Sequence, residues 1–109
     1  MILELPIKDI KNHFKKSAPR EACGVIVNNS DKIEYFPITN TAKDAQDFIM
    51  DTDEYLDIYY TKEIVGIVHS HVNISCNPSE YDIIQCNAVQ IPYYIFSYPS
   101  MEMHVLEPE

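Results

Sequence analysis

Residues Ile64-Val65-Gly66-Ile67-Val68 are the most apolar short run in this chain, and they restrict what it can fold into. A run of that length, with two valines and two isoleucines, reads as a buried strand. A buried strand requires a sheet with other elements packed over it. The run passes directly into His69-Ser70-His71. Successive strand side chains point to opposite faces, so His69 and His71 leave the strand on the same side. Two imidazoles so placed can reach one metal ion.

The flanking sequence supplies the rest of such a fold. Leu5 to Ser17 carries Ile7, Ile10 and Phe14 at helical spacing with lysines between, and Pro19 ends it. Ala22 to Val27 predicts a buried strand, Asn28 to Asp31 a turn, and Lys32 to Ile38 the second arm of a hairpin. A polar connection follows, with a short third strand expected at Asp47-Phe48-Ile49-Met50. Asp51 to Glu54 has the acids of a helix start, and Tyr55, Ile58 and Tyr59 continue that helix. After the His-Ser-His stretch, Ser79 to Gln90 reads as a helix whose core stripe is Tyr81, Ile84, Ala88 and Ile91. Tyr93 to Ser97 and Met101 to Leu106 are strands joined by a turn. The expected architecture is α/β, a mixed central β-sheet with flanking helices, formed as one domain over residues 1–109.

Charge narrows the function classes. Seventeen acids against eight lysines and arginines give a net charge of −9. That balance argues against sequence-independent nucleic-acid binding, which needs a basic face, and against an anionic membrane surface. Cys23, Cys76 and Cys86 are odd in number and form no Cys-x-x-Cys pair, which suits thiols used as small hydrophobes in a reducing compartment. No run reaches membrane-spanning length and no signal-peptide pattern opens the chain, so a cytoplasmic location is expected.

Ser79 and Asp82 stand three apart behind Pro78, on one helical turn. A capping box alone accounts for both residues. The alternative is that Asp82 joins His69 and His71 as a third ligand of a zinc site, with Ser79 beside it. Two histidines and a carboxylate leave a fourth tetrahedral position open for water, the mark of a catalytic rather than a structural site. His13 and His104 receive no role.

His69-x-His71, seven intervening residues, then Ser79-x-x-Asp82 resembles the signature of the JAMM (MPN+) zinc metallopeptidases. That signature also needs an upstream glutamate at the edge of an early strand, and Glu21 before Ala22 to Val27 fits it. The resemblance is strongest to the short JAMM domain of phage tail assembly protein K-like proteins. Pro19-Arg20-Glu21-Ala22-Cys23-Gly24, Gln85-Cys86 and the tyrosine-rich stretch Pro92 to Pro99 carry it. One departure is Val72, where the family often has proline; it loosens the loop and removes no ligand.

The resemblance implies a JAMM/MPN, cytidine deaminase-like architecture. It implies zinc held by His69, His71 and Asp82, with Glu21 as general base and Ser79 as hydrogen-bond donor to the oxyanion. Cys76 would be a bystander. The substrate would be a protein or peptide cut at a peptide or isopeptide bond. Phage tail proteins are the implied partners, with an NlpC-type peptidase domain often following, in a host cytoplasm or a virion tail. Two alternatives stand beside this: a non-catalytic assembly module of the tail, and a cellular peptidase processing a ubiquitin-like or sulfur-carrier protein.

Overall fold

Alternating burial along the strands organises the molecule. In the computed structural model, which describes residues 4–109, Val25 and Val27 face one side of a sheet while Ile26 faces the other. Ile67 and Val68 divide in the same way, as do Ile95 and Phe96. The sheet is therefore covered on both faces, and each such side chain contributes about 1.5–3 kcal/mol of burial.

The elements run α1 (Ile7–Ser17), β1 (Cys23–Asn29), β2 (Lys32–Ile38), α2 (Thr52–Thr61), β3 (Glu63–Val72), α3 (Glu80–Val89), β4 (Tyr93–Tyr98) and β5 (Met103–Leu106). The strands form one five-stranded sheet in the order β2-β1-β3-β4-β5. Only β3 and β4 pair in parallel; the other neighbours are antiparallel. This is the mixed α/β sheet with flanking helices that the sequence predicts. Ile10 and Phe14 of α1 close one face. Cys86 of α3, Phe48 of the connecting loop, and Tyr55 and Ile58 of α2 cover the other.

Helix ends follow local chemistry. The Asp51 carboxylate accepts from the Glu54 amide at 3.0 Å and so starts α2, which also carries Asp53 and Glu54 in its first turn. The parallel step from β3 to β4 needs a crossover, and α3 supplies it. Its N-terminus therefore comes to the C-terminal end of β3, where open parallel strands leave a crevice.

Two expectations are corrected. Asp47 to Met50 is not a strand: only Met50 makes an isolated bridge, to Asn40. The backbone of this stretch is instead held by the Asn40 side chain, described below. The stripe Tyr81, Ile84, Ala88 and Ile91 is not the core face of α3. Tyr81, Ile84 and Ala88 are exposed, Ile91 lies beyond the helix and is half-buried, and the buried positions are Asp82 and Cys86. Asp82 is drawn inward by the histidines, and Cys86, one turn on, follows it.

Candidate metal centre

Strand register brings the first three polar residues together. Cys23 of β1 pairs with His69 of β3, and both point to the α2/α3 side of the sheet. Just before β1, the Ser70 amide donates to the Ala22 carbonyl at 3.0 Å, and the Ala22 amide donates to the Ser70 hydroxyl at 2.9 Å. Continuing that register places Glu21 across from His71, on the same face as the two imidazoles. Glu21, His69 and His71 each present a ligand atom within 4.8 Å of the others, and all three are buried.

Asp82 arrives from α3. Its Oδ1 lies 3.0 Å from His69 Nε2 and its Oδ2 lies 3.3 Å from His71 Nε2. The capping box also forms: the Asp82 amide donates to Ser79 Oγ at 3.0 Å, and the Ser79 amide donates to Asp82 Oδ2 at 2.9 Å. Capping and contact with the histidines thus coexist, because the carboxylate has enough lone pairs for both. Ser79 Oγ accepts in this box and keeps its own proton to donate elsewhere.

The histidines differ. His71 Nδ1 donates to the Ser75 carbonyl at 2.8 Å, which fixes its tautomer and turns Nε2 toward Asp82. His69 is 1 % exposed, with Nδ1 3.3 Å from Glu21 Oε1 and Nε2 3.0 Å from Asp82. Neither nitrogen is aligned for a hydrogen bond, so both are buried without a proper partner. Phe48 stacks on the His69 ring at 4.2 Å and 26°, and Tyr93 meets it edge-on at 6.0 Å.

Electrostatics follow from this crowding. Burial opposes a charge on His69, but Asp82 and then Glu21 outweigh it and raise its pKa. For His71, burial is again opposed, here by Asp82 and the Ser75 carbonyl, and the net shift is upward despite His69. Burial works to raise the pKa of Asp82, yet the two histidines pull it well below the usual carboxylate range. Glu21, His69 and His71 are a nitrogen and oxygen donor set that could hold a metal ion, and Asp82 faces the Nε2 atoms of both imidazoles. The neighbouring thiol is not poised for attack: burial, then Glu21 and Glu54, push Cys23 up to about 12. Cys76 is half-buried against the core of the α2/α3 face.

Around the centre lies a cleft of about 240 Å³ reached by Glu21, His71, Ser79 and Asp82 and walled by Phe48 and Tyr81. One residue unmarked by sequence reasoning governs its shape. Asn40 donates to the Glu21 carbonyl at 2.8 Å and to the Asp47 carbonyl at 2.9 Å. It also accepts from the amides of Ala42 at 2.9 Å and Ile49 at 3.0 Å. The Glu21 amide in turn donates to Ala45 at 2.8 Å, and Arg20 reaches the Ala42 carbonyl. A lone asparagine in a polar loop carries no periodic signal, and Phe48 sits in the stretch for which the sequence predicts a strand. Hydrogen bonds reveal the first, and stacking on the His69 ring reveals the second.

Comparison with known proteins agrees with this architecture. The chain is 34% identical over 103 residues to the tail tip assembly protein K of Escherichia phage N15. The match covers 94% of this chain and 42% of that protein, so the chain spans less than half of its relative's length. Among solved structures, a protein from Desulfitobacterium hafniense superposes with a TM-score of 0.71 at 23% identity, over 91% of this chain and 75% of that one. A JAB1/MPN domain protein from Archaeoglobus fulgidus superposes at 0.55 and 21% identity, over 94% and 91%. So does a structure described as JAMM, a metalloprotease-like zinc site in the proteasome and signalosome, at 0.55 and 22%, over 94% and 90%. Residues 7–106 match the family of prokaryotic homologs of the JAB domain, and the chain belongs to that family.

Proposed function

We propose that this protein is a zinc-dependent metallopeptidase that hydrolyses a peptide or isopeptide bond in phage tail assembly. The observation that carries the reading is His69: a fully buried imidazole whose two nitrogens face the carboxylates of Glu21 at 3.3 Å and Asp82 at 3.0 Å without hydrogen-bond alignment to either. A buried polar group without a proper partner costs about 1–3 kcal/mol, and a cation at Nε2 would give that nitrogen a partner while leaving Nδ1 to Glu21. His69, His71 and Asp82 would hold the ion, since Asp82 contacts both imidazoles. Zinc so held supplies a water acidified toward neutrality.

The chain's own groups do the remainder. Glu21 takes the proton from the attacking water and returns it to the leaving nitrogen. The Ser79 hydroxyl, free to donate, stabilises charge on the attacked carbonyl oxygen. His71, locked by Ser75, keeps its ligand nitrogen aimed at the centre. No covalent intermediate is needed.

Purified protein expressed with zinc is expected to retain about one equivalent, and His69→Ala and Asp82→Asn to lose it. Glu21→Gln is expected to keep the metal and abolish hydrolysis. Glu21 also stands among the three residues with mutually close ligand atoms. If Glu21→Gln loses zinc while Asp82→Asn keeps it, the assignment of ligand and base is reversed.

A second reading is a non-catalytic assembly module. The relative named for tail tip assembly favours it, and this chain matches only part of that protein. An NlpC-type peptidase partner belongs to either reading. Tail assembly left intact by Glu21→Gln, with metal bound, favours the module over the enzyme.

A further inference from the structure

On the α2/α3 side of the sheet, a recess of about 220 Å³ opens beside the cleft. Phe48, Met50, Tyr55, Tyr81, Val89 and Tyr93 account for most of its lining, and no charged residue contributes. Phe48 and Tyr81 wall both spaces, so the recess begins where the cleft ends. We infer that this recess is a subsite for a large apolar side chain carried by the peptide next to the bond cleaved. The inference rests on the metallopeptidase reading and names the substrate class of that same site.

The recess exists because two helices are tied down elsewhere. Asp51 pins the start of α2, and the Ser79–Asp82 box pins the start of α3 toward the histidines. Helix α2 buries no residue completely, and α3 buries only Asp82 and Cys86. The apolar side chains between the helices therefore lack partners on one side, and forfeit contacts that an inserted side chain would restore. Tyr81 remains 54 % exposed and Ile49 55 % exposed at this place. A peptide carbonyl held over His69, His71 and Asp82 has to pass its flanking residue along Phe48 and Tyr81 to leave the cleft. Apolar contact there is the gain on offer.

Charge defines the other half of the specificity. The immediate chain neighbours of the lining residues are acidic: Asp47 beside Phe48, Asp51 and Asp53 around Thr52, Glu54 beside Tyr55, and Glu80 beside Tyr81. An acidic substrate residue at this position meets a wall with no cation to pair with, in a chain of net charge −9.

The test uses zinc-loaded protein and three amino-acid hydroxamates, whose common head group seeks the metal while the side chain reports on the recess. In titration calorimetry, leucine hydroxamate is expected to bind about tenfold or more tightly than glycine hydroxamate. Glutamate hydroxamate should bind more weakly than glycine hydroxamate. Gln85→Glu, which changes one lining side chain isosterically, and Val89→Lys should bring the leucine-to-glycine ratio to about twofold or less while glycine hydroxamate binds as before. Zinc-dependent binding of all three with equal affinity would overturn the subsite and leave the metal reading standing. So would a leucine preference that both variants retain. Failure of every hydroxamate to bind zinc-loaded protein would overturn the metallopeptidase reading, and the subsite with it.

Discussion

Asn40 spends both amide protons and both carbonyl lone pairs on four backbone groups, and one of them is the carbonyl of Glu21. Asn40→Asp preserves the shape and the two acceptor bonds, and removes the two donor bonds to Glu21 and Asp47. The part-buried Glu21 carbonyl is left short of a partner, while water can replace the exposed bond to Asp47, so a destabilisation of about 1–3 kcal/mol in urea denaturation is expected. On the proposed metallopeptidase reading, hydrolysis should fall more than zinc affinity, because Glu21, the proposed proton carrier, is displaced while the histidines are not. Equal losses in both would mean that Asn40 merely holds the loop. At this scale the sequence was uneven. His69 and His71 were legible because strand alternation puts both on one face, and Ser79 and Asp82 because three residues make a helical turn. Glu21 needed a family signature, since one acid among seventeen carries no mark of its own. Asn40 and Phe48 act through a loop without periodicity, which sequence patterning does not read.

The docking of α1 onto the sheet shows how an element depends on a few contacts. Phe14 meets Phe96 edge-on at 5.6 Å, and His13 Nδ1 shares a 2.6 Å hydrogen bond with the Tyr35 hydroxyl of β2. Burial, and then Lys16, lower the pKa of His13. A histidine with a folded pKa below its unfolded value contributes stability above the unfolded value near 6.5, and loses it as pH falls through the folded value. The stability advantage of wild type over His13→Gln should therefore narrow on acidification, read as melting temperature across pH. Gly24 supplies a second handle. A methyl group there would meet the Tyr35 ring at 2.5–2.6 Å, so Gly24→Ala has to displace that ring. The expected cost is about 1–3 kcal/mol, together with loss of the His13-dependent pH effect. A Gly24→Ala protein that keeps the full effect would separate Tyr35 from the titration. The β1–β2 hairpin at this joint was readable from an apolar run and a turn. The face of α3 was not, because its rotation is set by Asp82 turning toward two histidines, and helical spacing alone favoured Tyr81, Ile84 and Ala88.

Charge is divided across the molecule as a whole. Lys8, Lys11, Lys15, Lys16 and Arg20 lie on or just after α1, whereas residues 21–109 carry fifteen acids against three lysines. No helix among the described residues is long and apolar enough to cross a membrane. The net charge of −9 favours approach of a cation over an anion, although Lys16 and Arg20 line one hollow together with Glu21. Metal and protons then act on global stability with opposite signs. Without metal, the raised pKa values of His69 and His71 contribute stability below about 6.5, which is lost as pH rises through their folded values. The lowered pKa of Asp82 contributes above its unfolded value of 3.8 and is lost as pH falls through its folded value. The metal-free protein is therefore expected to be most stable between these limits. Zinc requires neutral imidazoles, so its stabilisation grows as pH rises. At a free zinc concentration of 100 times the dissociation constant it adds about 2.7 kcal/mol, or on the order of 10–20 °C in melting temperature for a chain of this size. Melting curves with zinc and with chelator should converge near pH 5 and separate steadily toward pH 8. Parallel curves across that range would mean that zinc binds away from the two histidines.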